Sequence, residues 1–369
     1  MAASSRVGGN DLISFVHTAE DQSLLHGAAS IGSYVVVWLA AIVWPIGLAG
    51  CVFYGWWLSS LALVALAALC SIPLEPNDRV KAWMRRGVTV YFREASLRYE
   101  LEVETPTVLA VHPHGIFCMG WATLFTQPAL KDARWCFASV LHSSPLFRAF
   151  TSIIGRPVRP ADLEHWSTFT AVLTPTCPAC VCSQASADKK SFLGLMRQRK
   201  TIAILPGGFE EASISCPTVD RVYLKHRRGW IKYALEHGYT LTPSFTFGER
   251  ETYSSVQALL PLRLWLGRTF GLPGTLLAMG LIFPRGRVWC PVLPNDRRLH
   301  IVVGPPVKPP TLLRAGRSVD QASTAQPTVT EEQVNEFHAR YVAALVALYD
   351  RHKVTYYGEK AADAALEIW

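Results

Sequence analysis

Apolar residues are unevenly distributed along this chain, and the longest apolar stretch lies near its N-terminus. Residues 22–74 contain no aspartate, glutamate, lysine or arginine, and residues 34–70 are almost continuously apolar. This exceeds what a soluble core needs, whereas about 20 apolar residues make one membrane-spanning helix. The helix-breaking residues within the run are Pro45, Gly47, Gly50 and Gly55. We predict a transmembrane or re-entrant helical hairpin over residues 27–72; the alternative is a hydrophobic hairpin buried inside a soluble fold.

The charges on either side of the apolar run predict its orientation. Four basic residues follow it closely, namely Arg79, Lys81, Arg85 and Arg86. Residues 1–26 carry three acidic residues and a single arginine, Arg6. Because basic flanks remain on the cytosolic side of a membrane, we expect residues 1–26 to be a polar tail and residues 73–369 to be a cytosol-facing domain.

Strand-like and helix-like segments alternate after the hairpin. The predicted strands are rich in β-branched or aromatic residues and cover 107–111, 135–141, 201–205, 240–247 and 299–303. Residues 229–237 are typical of a helix, and Gly238 is placed to end it. This alternation predicts an α/β fold in which a sheet is flanked by helices.

The C-terminal third carries one regular helix and two less regular segments. Thr330 and Gln333 form a capping-box pattern that predicts the start of a scaffold helix. Its apolar face repeats at helical spacing over Val334, Phe337, Tyr341, Leu345 and Leu348. Residues 258–283 are apolar but broken by arginines and glycines, which fits either a lipid-contacting segment or an ordinary buried helix and loop. Residues 309–329 predict a loose polar loop.

Composition narrows the class of protein. Half of the residues are apolar, 17% are charged, and the net charge is +8. This charge fits contact with anionic lipid headgroups or with a phosphate-bearing substrate, whereas no nucleic-acid-binding module is recognisable.

An odd number of cysteines, nine, in a cytosol-facing chain argues against a disulfide framework. The group Cys177, Cys180 and Cys182 lacks a second pair at zinc spacing, so we expect a surface loop there.

Two polar motifs follow predicted strands directly. His112, Pro113, His114 and Gly115 come after the strand at 107–111, and residues 206–211 (PGGFEE) come after the strand at 201–205. Strand ends are where α/β enzymes place their chemistry. A histidine base, glycine backbone donors and a carboxylate together suit the transfer of an acyl group to a hydroxyl.

The order of these motifs resembles the type-2 diacylglycerol acyltransferase family, which includes monoacylglycerol acyltransferases and wax-ester synthases. The resemblance covers roughly residues 34–358. After the double apolar segment, the matching blocks are HPHG at 112–115, RPVR at 156–159, GGFEE at 207–211, RGWIKYALEHG at 228–238, TPSFTFGE at 242–249, FPRG at 283–286 and VVGPP at 302–306. The family implies a glycerolipid-acyltransferase-like sheet and an acyl-CoA-dependent O-acyltransferase. We expect diacylglycerol to be converted to triacylglycerol, with monoacylglycerol or a long-chain alcohol as the alternative acceptor.

The chemistry assigns roles to the motif residues. We expect His114 to be the general base and His112 to bind substrate or orient its neighbour, because residues two apart on extended backbone face opposite sides. Related glycerolipid acyltransferases have an aspartate five positions after the histidine, where this chain has Phe117 or Met119. We therefore expect Glu211, or Glu210 in its place, to fix the imidazole tautomer.

Glycines and arginines complete the expected site. Backbone N–H groups at Gly115, or at Gly207 and Gly208, are candidate donors to the oxyanion, with a simple tight turn as the alternative for the glycine pair. The candidate cations for the acyl-CoA phosphates are Arg156, Arg159, Arg227 and Arg228. The alternative for these arginines is a solvated or lipid-facing basic surface.

The sequence is also compatible with other chemical mechanisms and with another class of protein. Cys118 lies four residues after His114, which makes a covalent cysteine route conceivable; His-x-His can also chelate a metal, but we expect no metal site. Beyond acyl-CoA as co-substrate we expect no cofactor. The resemblance implies a location in the endoplasmic reticulum membrane, with lipid droplets as a further location. The expected partners are a lipid bilayer and a neutral-lipid acceptor. A homo-oligomeric state is compatible with the resemblance. The rival from another class is a non-enzymatic hairpin protein that shapes membranes or coats lipid droplets and has an inactive catalytic domain.

Overall fold

A computed structural model provides the structure of the chain. It describes residues 12–17, 23–70, 72, 74, 76–138, 141, 144–154, 184–186, 189–253, 258–270, 290, 292–310 and 329–369. Several features predicted from the sequence lie outside these residues: Arg156 and Arg159, the cysteine group at 177–182, most of the loop at 309–329 and the second half of the apolar segment at 258–283.

Helices and strands alternate through the described part of the chain. The α-helices are α1 (Leu24–Phe53), α2 (Trp57–Cys70), α3 (Asp78–Tyr91), α4 (Met119–Phe125), α5 (Pro145–Ile154), α6 (Lys189–Arg197), α7 (Gly208–Ile214), α8 (Gly229–Glu236), α9 (Leu260–Phe270) and α10 (Glu331–Tyr357). The strands are β1 (Leu12–His17), β2 (Glu94–Tyr99), β3 (Thr107–His112), β4 (Arg134–Phe137), β5 (Gln184–Ser186), β6 (Ile202–Ile204), β7 (Asp220–Val222), β8 (Thr240–Phe247), β9 (Arg298–Val303) and β10 (Leu366–Ile368).

One eight-stranded sheet organises the molecule, in the spatial order β1-β2-β9-β8-β3-β6-β4-β5. The five adjacent strands from β8 to β5 are parallel to one another, and β9 joins this group antiparallel to β8. The carboxyl ends of β8, β3 and β6 therefore meet at one edge. Strands β7 and β10 form a separate parallel pair.

Helices cover both faces of the sheet, which confirms the α/β prediction in its general form. One apolar core lies between the sheet and α1, α3, α4 and α5, and it contains Val35, Tyr91, Leu109 and Trp121. The second core lies on the opposite face and packs α6, α8 and α10 against Phe245 and its neighbours. Strand β3 is buried along its whole length because it has helices on both sides.

The apolar N-terminal segment forms two unequal helices, α1 with 30 residues and α2 with 14. In the first part of α1 a stripe at helical spacing is buried against the sheet, formed by Ile31, Tyr34, Val35 and Trp38. Further along, apolar side chains are exposed, reaching 83% at Phe53 and 85% at Leu58. Among the described residues, one helical window, Leu24–Ala41, is long and apolar enough to cross a membrane, and 39% of it is buried within the protein. Part of the apolar run therefore belongs to the core of the sheet domain.

Most predicted elements are found within one residue of their expected bounds, with one clear exception. The strand predicted at 135–141 ends at Phe137, because the Leu141 N–H donates to the Ala138 carbonyl and the chain turns. Helix α8 ends as predicted, with Gly238 at φ +63°. The capping box of α10 is formed: the Thr330 side chain accepts from the Gln333 N–H, and Gln333 bonds back to the Thr330 N–H.

Candidate active site

The two sequence motifs meet at the carboxyl edge of the parallel strands. The HPHG motif begins with the last residue of β3, and the GGFEE motif opens α7 after the neighbouring strand β6. His112, His114 and Glu211 are at most 6% exposed, so the site is shielded from bulk water. The pairing of β3 with β6 brings together side chains that are almost one hundred positions apart.

The His114 imidazole is held by its own loop. Its Nδ1 lies 2.9 Å from the Gly115 carbonyl oxygen. A carbonyl only accepts, so this contact places the ring proton on Nδ1 and leaves Nε2 as a proton acceptor. The Cys118 sulfur lies 3.2 Å from Nδ1 and 3.7 Å from Nε2. Burial lowers the pKa of His114, although the Gly115 carbonyl and the charge of Glu211 oppose this effect.

Glu211 ties three segments of the chain together. Its Oε1 accepts the His114 backbone N–H at 2.6 Å and lies 3.4 Å from the His112 Nδ1. Its Oε2 accepts the Tyr223 backbone N–H at 2.7 Å. Burial opposes ionisation, but His112 and the backbone donors outweigh it, so the pKa of Glu211 lies below its usual value. The carboxylate is therefore charged near neutral pH.

His112 has partners on both of its ring nitrogens. While Nδ1 contacts Glu211, the Nε2 lies 3.0 Å from the hydroxyl of Tyr341 on α10. The side chain is fully buried. His112 is therefore built into the scaffold of the site, whereas His114 retains a ring nitrogen whose close partner in the described structure is a thiol.

The glycine pair and the basic segment lie next to Glu211. A side chain at Gly207 would collide with the Glu211 carboxylate, which explains why glycine occupies this position. The Gly208 N–H already donates to the Leu205 carbonyl at 3.1 Å, so it is engaged in the turn. Glu210 forms an ion pair with Arg227, whose guanidinium also stacks over the Tyr223 ring.

Not all predicted site residues converge. Arg228 is exposed and donates to the Asn335 side chain on α10. In the described structure, other contacts take the place of the one expected between Glu211 and the His114 imidazole. Glu211 binds the His114 backbone and the His112 ring, and the Gly115 carbonyl fixes the His114 tautomer instead. The reason is that the left-handed turn at Gly115, with φ +60°, folds that carbonyl back toward the ring.

Glu249 is a further buried carboxylate that the sequence reasoning did not assign. It follows β8, and its oxygens accept the backbone N–H groups of Met119 at 2.9 Å and Gly120 at 2.7 Å. A side chain at Gly115 would collide with it. Burial raises the pKa of Glu249 to about 7, while the two backbone donors act in the opposite direction. Glu249 thus anchors the start of α4 behind the histidine loop.

The sequence marked the positions of Glu249 and Tyr341 but did not indicate their roles in the site. Glu249 ends the block at 242–249 that carries the family resemblance, so its position was marked. Tyr341 was counted only as part of an apolar helix face, yet its hydroxyl reaches His112. Helix α10 therefore contributes to the site and is not scaffold alone. No local signal predicts this contact, because the two residues are 229 positions apart.

Comparison with known proteins points to one family. The diacylglycerol acyltransferase family profile matches residues 51–367. The chain is 29% identical over 297 residues to human diacylglycerol O-acyltransferase 2-like protein 6, covering 76% of this chain and 77% of the relative. It is 28% identical to human acyl-CoA wax alcohol acyltransferase 1 (77% and 79% covered) and 25% identical to bovine 2-acylglycerol O-acyltransferase 1 (90% and 91% covered). No solved structure shows a significant match. Since the profile spans most of its length, the chain belongs to the diacylglycerol acyltransferase family.

Proposed function

We propose that this protein transfers the acyl group of acyl-CoA directly to the free hydroxyl of diacylglycerol, giving triacylglycerol, with His114 as the general base. The observation that carries the proposal is the His114 ring, fixed through Nδ1 by the Gly115 carbonyl and held at the strand edge by Glu211. Family membership supports acyl transfer. Acyl-CoA is the co-substrate, and the proposal needs no other cofactor.

The proposed step begins at the His114 Nε2. This nitrogen takes the proton of the acceptor hydroxyl while the hydroxyl oxygen attacks the thioester carbonyl carbon. The tetrahedral intermediate then expels the CoA thiolate, which recovers the proton from the imidazolium. A positioned imidazole base contributes about 10² to 10⁴-fold in rate. Burial keeps the ring neutral, because it lowers the pKa of His114, and a neutral ring is the form that accepts a proton.

The surrounding residues stabilise this arrangement. The negative charge of Glu211 favours the transient imidazolium of His114. Glu211 also accepts the His114 backbone N–H, which keeps the carboxylate close to the ring. His112 contacts Glu211 from the other side, and the Tyr341 hydroxyl holds the His112 ring in turn. The Gly115 N–H is the donor that we propose for the oxyanion, because the Gly208 N–H is engaged with Leu205.

The basic segment after β7 is the proposed site for the acyl-CoA phosphates. Lys225 and Arg228 are exposed, and Arg227 lies beside the glycine pair while it pairs with Glu210. These cations stand at the start of α8, where backbone N–H groups also attract phosphate. Arg156 and Arg159 belong to the same proposal but lie outside the described residues.

The acceptor is the least constrained part of the proposal. Relatives named as wax alcohol and 2-acylglycerol acyltransferases match this chain at similar identity to those named as diacylglycerol acyltransferases. Monoacylglycerol and a long-chain alcohol therefore remain the alternative acceptors.

We also propose that the exposed apolar part of α1 and α2 inserts into the endoplasmic reticulum membrane, with the sheet domain facing the cytosol. Exposed apolar side chains in this number are costly in water. The turn between the two helices carries Tyr54, Trp56 and Trp57, all more than 60% exposed. Such aromatic residues favour a membrane interface. The same hairpin would allow residence on lipid droplets.

His114→Ala is the decisive variant. Membranes containing the protein are incubated with labelled acyl-CoA and, separately, diacylglycerol, monoacylglycerol and a long-chain alcohol. We expect ester formation to fall by at least about 100-fold, because the base is lost. His237→Ala is the control, since the His237 Nδ1 contacts the Tyr233 carbonyl at the C-terminal end of α8 and neither residue belongs to the candidate site, so this variant should retain parental activity. Parental ester yield from His114→Ala would exclude His114 as the base, and a parent that makes no more ester than membranes lacking the protein would favour the non-enzymatic hairpin protein.

Cys118→Ala tests the covalent route. The thiol lies close to His114, but burial raises the pKa of Cys118 well above its usual value, and the nearby carboxylates Glu249 and Glu211 add to this effect. A thiolate is therefore disfavoured, and we expect near-parental turnover for the alanine variant. Loss of activity comparable with that of His114→Ala, together with a trapped acyl-thioester on the parent, would establish the covalent route.

A further inference from the structure

Three of the groups beside the His114 ring can be identified in the described structure. The Gly115 carbonyl lies at Nδ1, and the Cys118 sulfur lies within 3.7 Å of both ring nitrogens. The third group is the Phe209 ring on α7, whose centroid is 6.3 Å from that of His114 at an interplanar angle of 46°. Gly115 and Cys118 are buried, whereas Phe209 is partly exposed. Of the three, Phe209 is therefore the neighbour that connects the buried His114 ring with the protein surface.

The start of α7 holds Phe209 in this place. Gly208, just before it, has φ +55°, a left-handed conformation that favours glycine. Glu210, just after it, forms an ion pair with Arg227. The Phe209 carbonyl accepts the Ser213 hydroxyl at 2.8 Å. The backbone is thus fixed on both sides of Phe209, so the position of its ring beside the base is a stable feature of the turn.

A base that activates an alcohol can also activate water. If the His114 Nε2 took a proton from water, the water oxygen would attack the thioester carbonyl carbon. The C–S bond would then break, the CoA thiolate would recover the proton from the imidazolium, and the products would be a fatty acid and CoA. Enzymes prevent such side reactions by keeping water out of the closed site. A phenyl ring beside the base suits this task, because it is bulky and offers water no conventional hydrogen bond.

We propose that Phe209 is a specificity-determining residue that excludes water from the His114 base and so favours transfer to a lipid alcohol over hydrolysis of acyl-CoA. The inference rests on the proposed function and deepens it, because it assigns the choice between two nucleophiles to one side chain. A lipid alcohol brings apolar surface that packs against the phenyl ring, whereas water gains nothing from that contact. The same ring therefore opposes water and accepts the lipid.

The test measures labelled free fatty acid and labelled ester from the same incubation of membranes with labelled acyl-CoA and diacylglycerol. Membranes lacking the protein give the background to be subtracted. In Phe209→Ala we expect the ratio of fatty acid to ester to rise at least about 10-fold, because water reaches the base. Phe209→Leu keeps an apolar side chain and should stay within about 3-fold of the parental ratio. Phe150→Ala is the matched control, since Phe150 is also partly exposed but lies on α5, and its ratio should remain parental.

Two further variants link the hydrolysis to the base and guard against misfolding. Adding His114→Ala to Phe209→Ala should abolish the extra hydrolysis, because the same imidazole activates the water. Phe209→Gln is similar in length but polar, so it should also raise the ratio; thermal unfolding in detergent shows which of the Phe209 variants are folded. An unchanged ratio in a folded alanine or glutamine variant, or extra hydrolysis that survives the loss of His114, overturns the role of Phe209 while the proposed function stands. A parent protein that forms no ester above background would instead refute the proposed function itself.

Discussion

Glu211 is the residue on which most of the site geometry depends. Its two oxygens accept from, or contact, His112, the His114 backbone and the Tyr223 backbone. A carboxylate with several donors stays ionised in a buried place where it would otherwise take up a proton. His114 is therefore positioned by charge and backbone together, and its ring nitrogen Nε2 is the one that we propose as the proton acceptor.

The pH dependence of activity should report on His114. Burial lowers the pKa of His114 below 6.5, so the ring stays neutral at that pH and gains its proton only in more acidic solution. We expect kcat/KM to decline as pH falls, with its acid inflection below 6.5, so that more than half of the decline lies below that pH. The pH profile of kcat/KM for acyl-CoA measures this. Because the pKa of Glu249 is about 7, the contradicting outcome is an inflection above 6.5 that is retained in Glu249→Gln, with the protein still folded at each pH.

Among the elements, the short helix α4 depends on a contact from another strand. Its first N–H groups, at Met119 and Gly120, have no capping side chain of their own and use Glu249 after β8. Glu249 also occupies the space behind Gly115. The end of β8 thereby supports the loop that carries His114.

Replacing Glu249 tests this support. Glu249→Ala leaves two buried N–H groups unpaired, so we expect the free energy of unfolding to fall by about 1–3 kcal/mol and kcat to fall with it. Thermal unfolding in detergent and acyl transfer measure the two effects. Glu251→Ala is the matched control, because Glu251 lies in the same short 3-10 turn and has no capping role in the described structure. Equal behaviour of the two variants would show that the cap is unimportant.

At the scale of the whole molecule, the C-terminal strand supports the site from a distance. Strand β10 pairs with β7, and the Trp369 carbonyl accepts the N–H groups of Leu224 and Lys225. The residue between these contacts, Tyr223, donates its N–H to Glu211. The last residues of the chain therefore hold in place the segment that positions the active-site carboxylate and the proposed phosphate cations.

Removal of residues 366–369 should lower kcat and raise the apparent KM for acyl-CoA, because Val222, Leu224 and Lys225, which flank Tyr223, lose their backbone hydrogen bonds to Trp369. Kinetics on membranes with matched protein amounts measure both effects. Glu367→Ala is the control: it removes a half-exposed side chain that pairs with Arg221 but keeps the backbone pairing, so it should remain near parental. Parental kinetics in the truncated protein would show that β10 is dispensable.

The sequence was sufficient wherever a feature is local. Period and turn chemistry predicted β3, β6 and β8, the cap at Gly238 and the capping box at Thr330, because these depend on residues only a few positions apart. The apolar run was also visible. The sequence did not show that one part of the run packs on the sheet domain while the other part is exposed, because both parts are equally apolar.

By itself, then, the sequence determined an α/β chain with two chemical motifs at strand ends and an apolar hairpin before them. Only the tertiary structure determined the hydrogen-bond partners of the polar atoms in the site. Parallel pairing of β8, β3 and β6 brings Glu211 and Glu249 to the histidine loop, and helix packing on both faces adds Tyr341 and Trp38. These contacts join residues about 80 to 230 positions apart along the chain, as seen for His112 with Glu211 at 99 positions and with Tyr341 at 229. No local pattern encodes such pairs, because they form only when the sheet and its covering helices assemble.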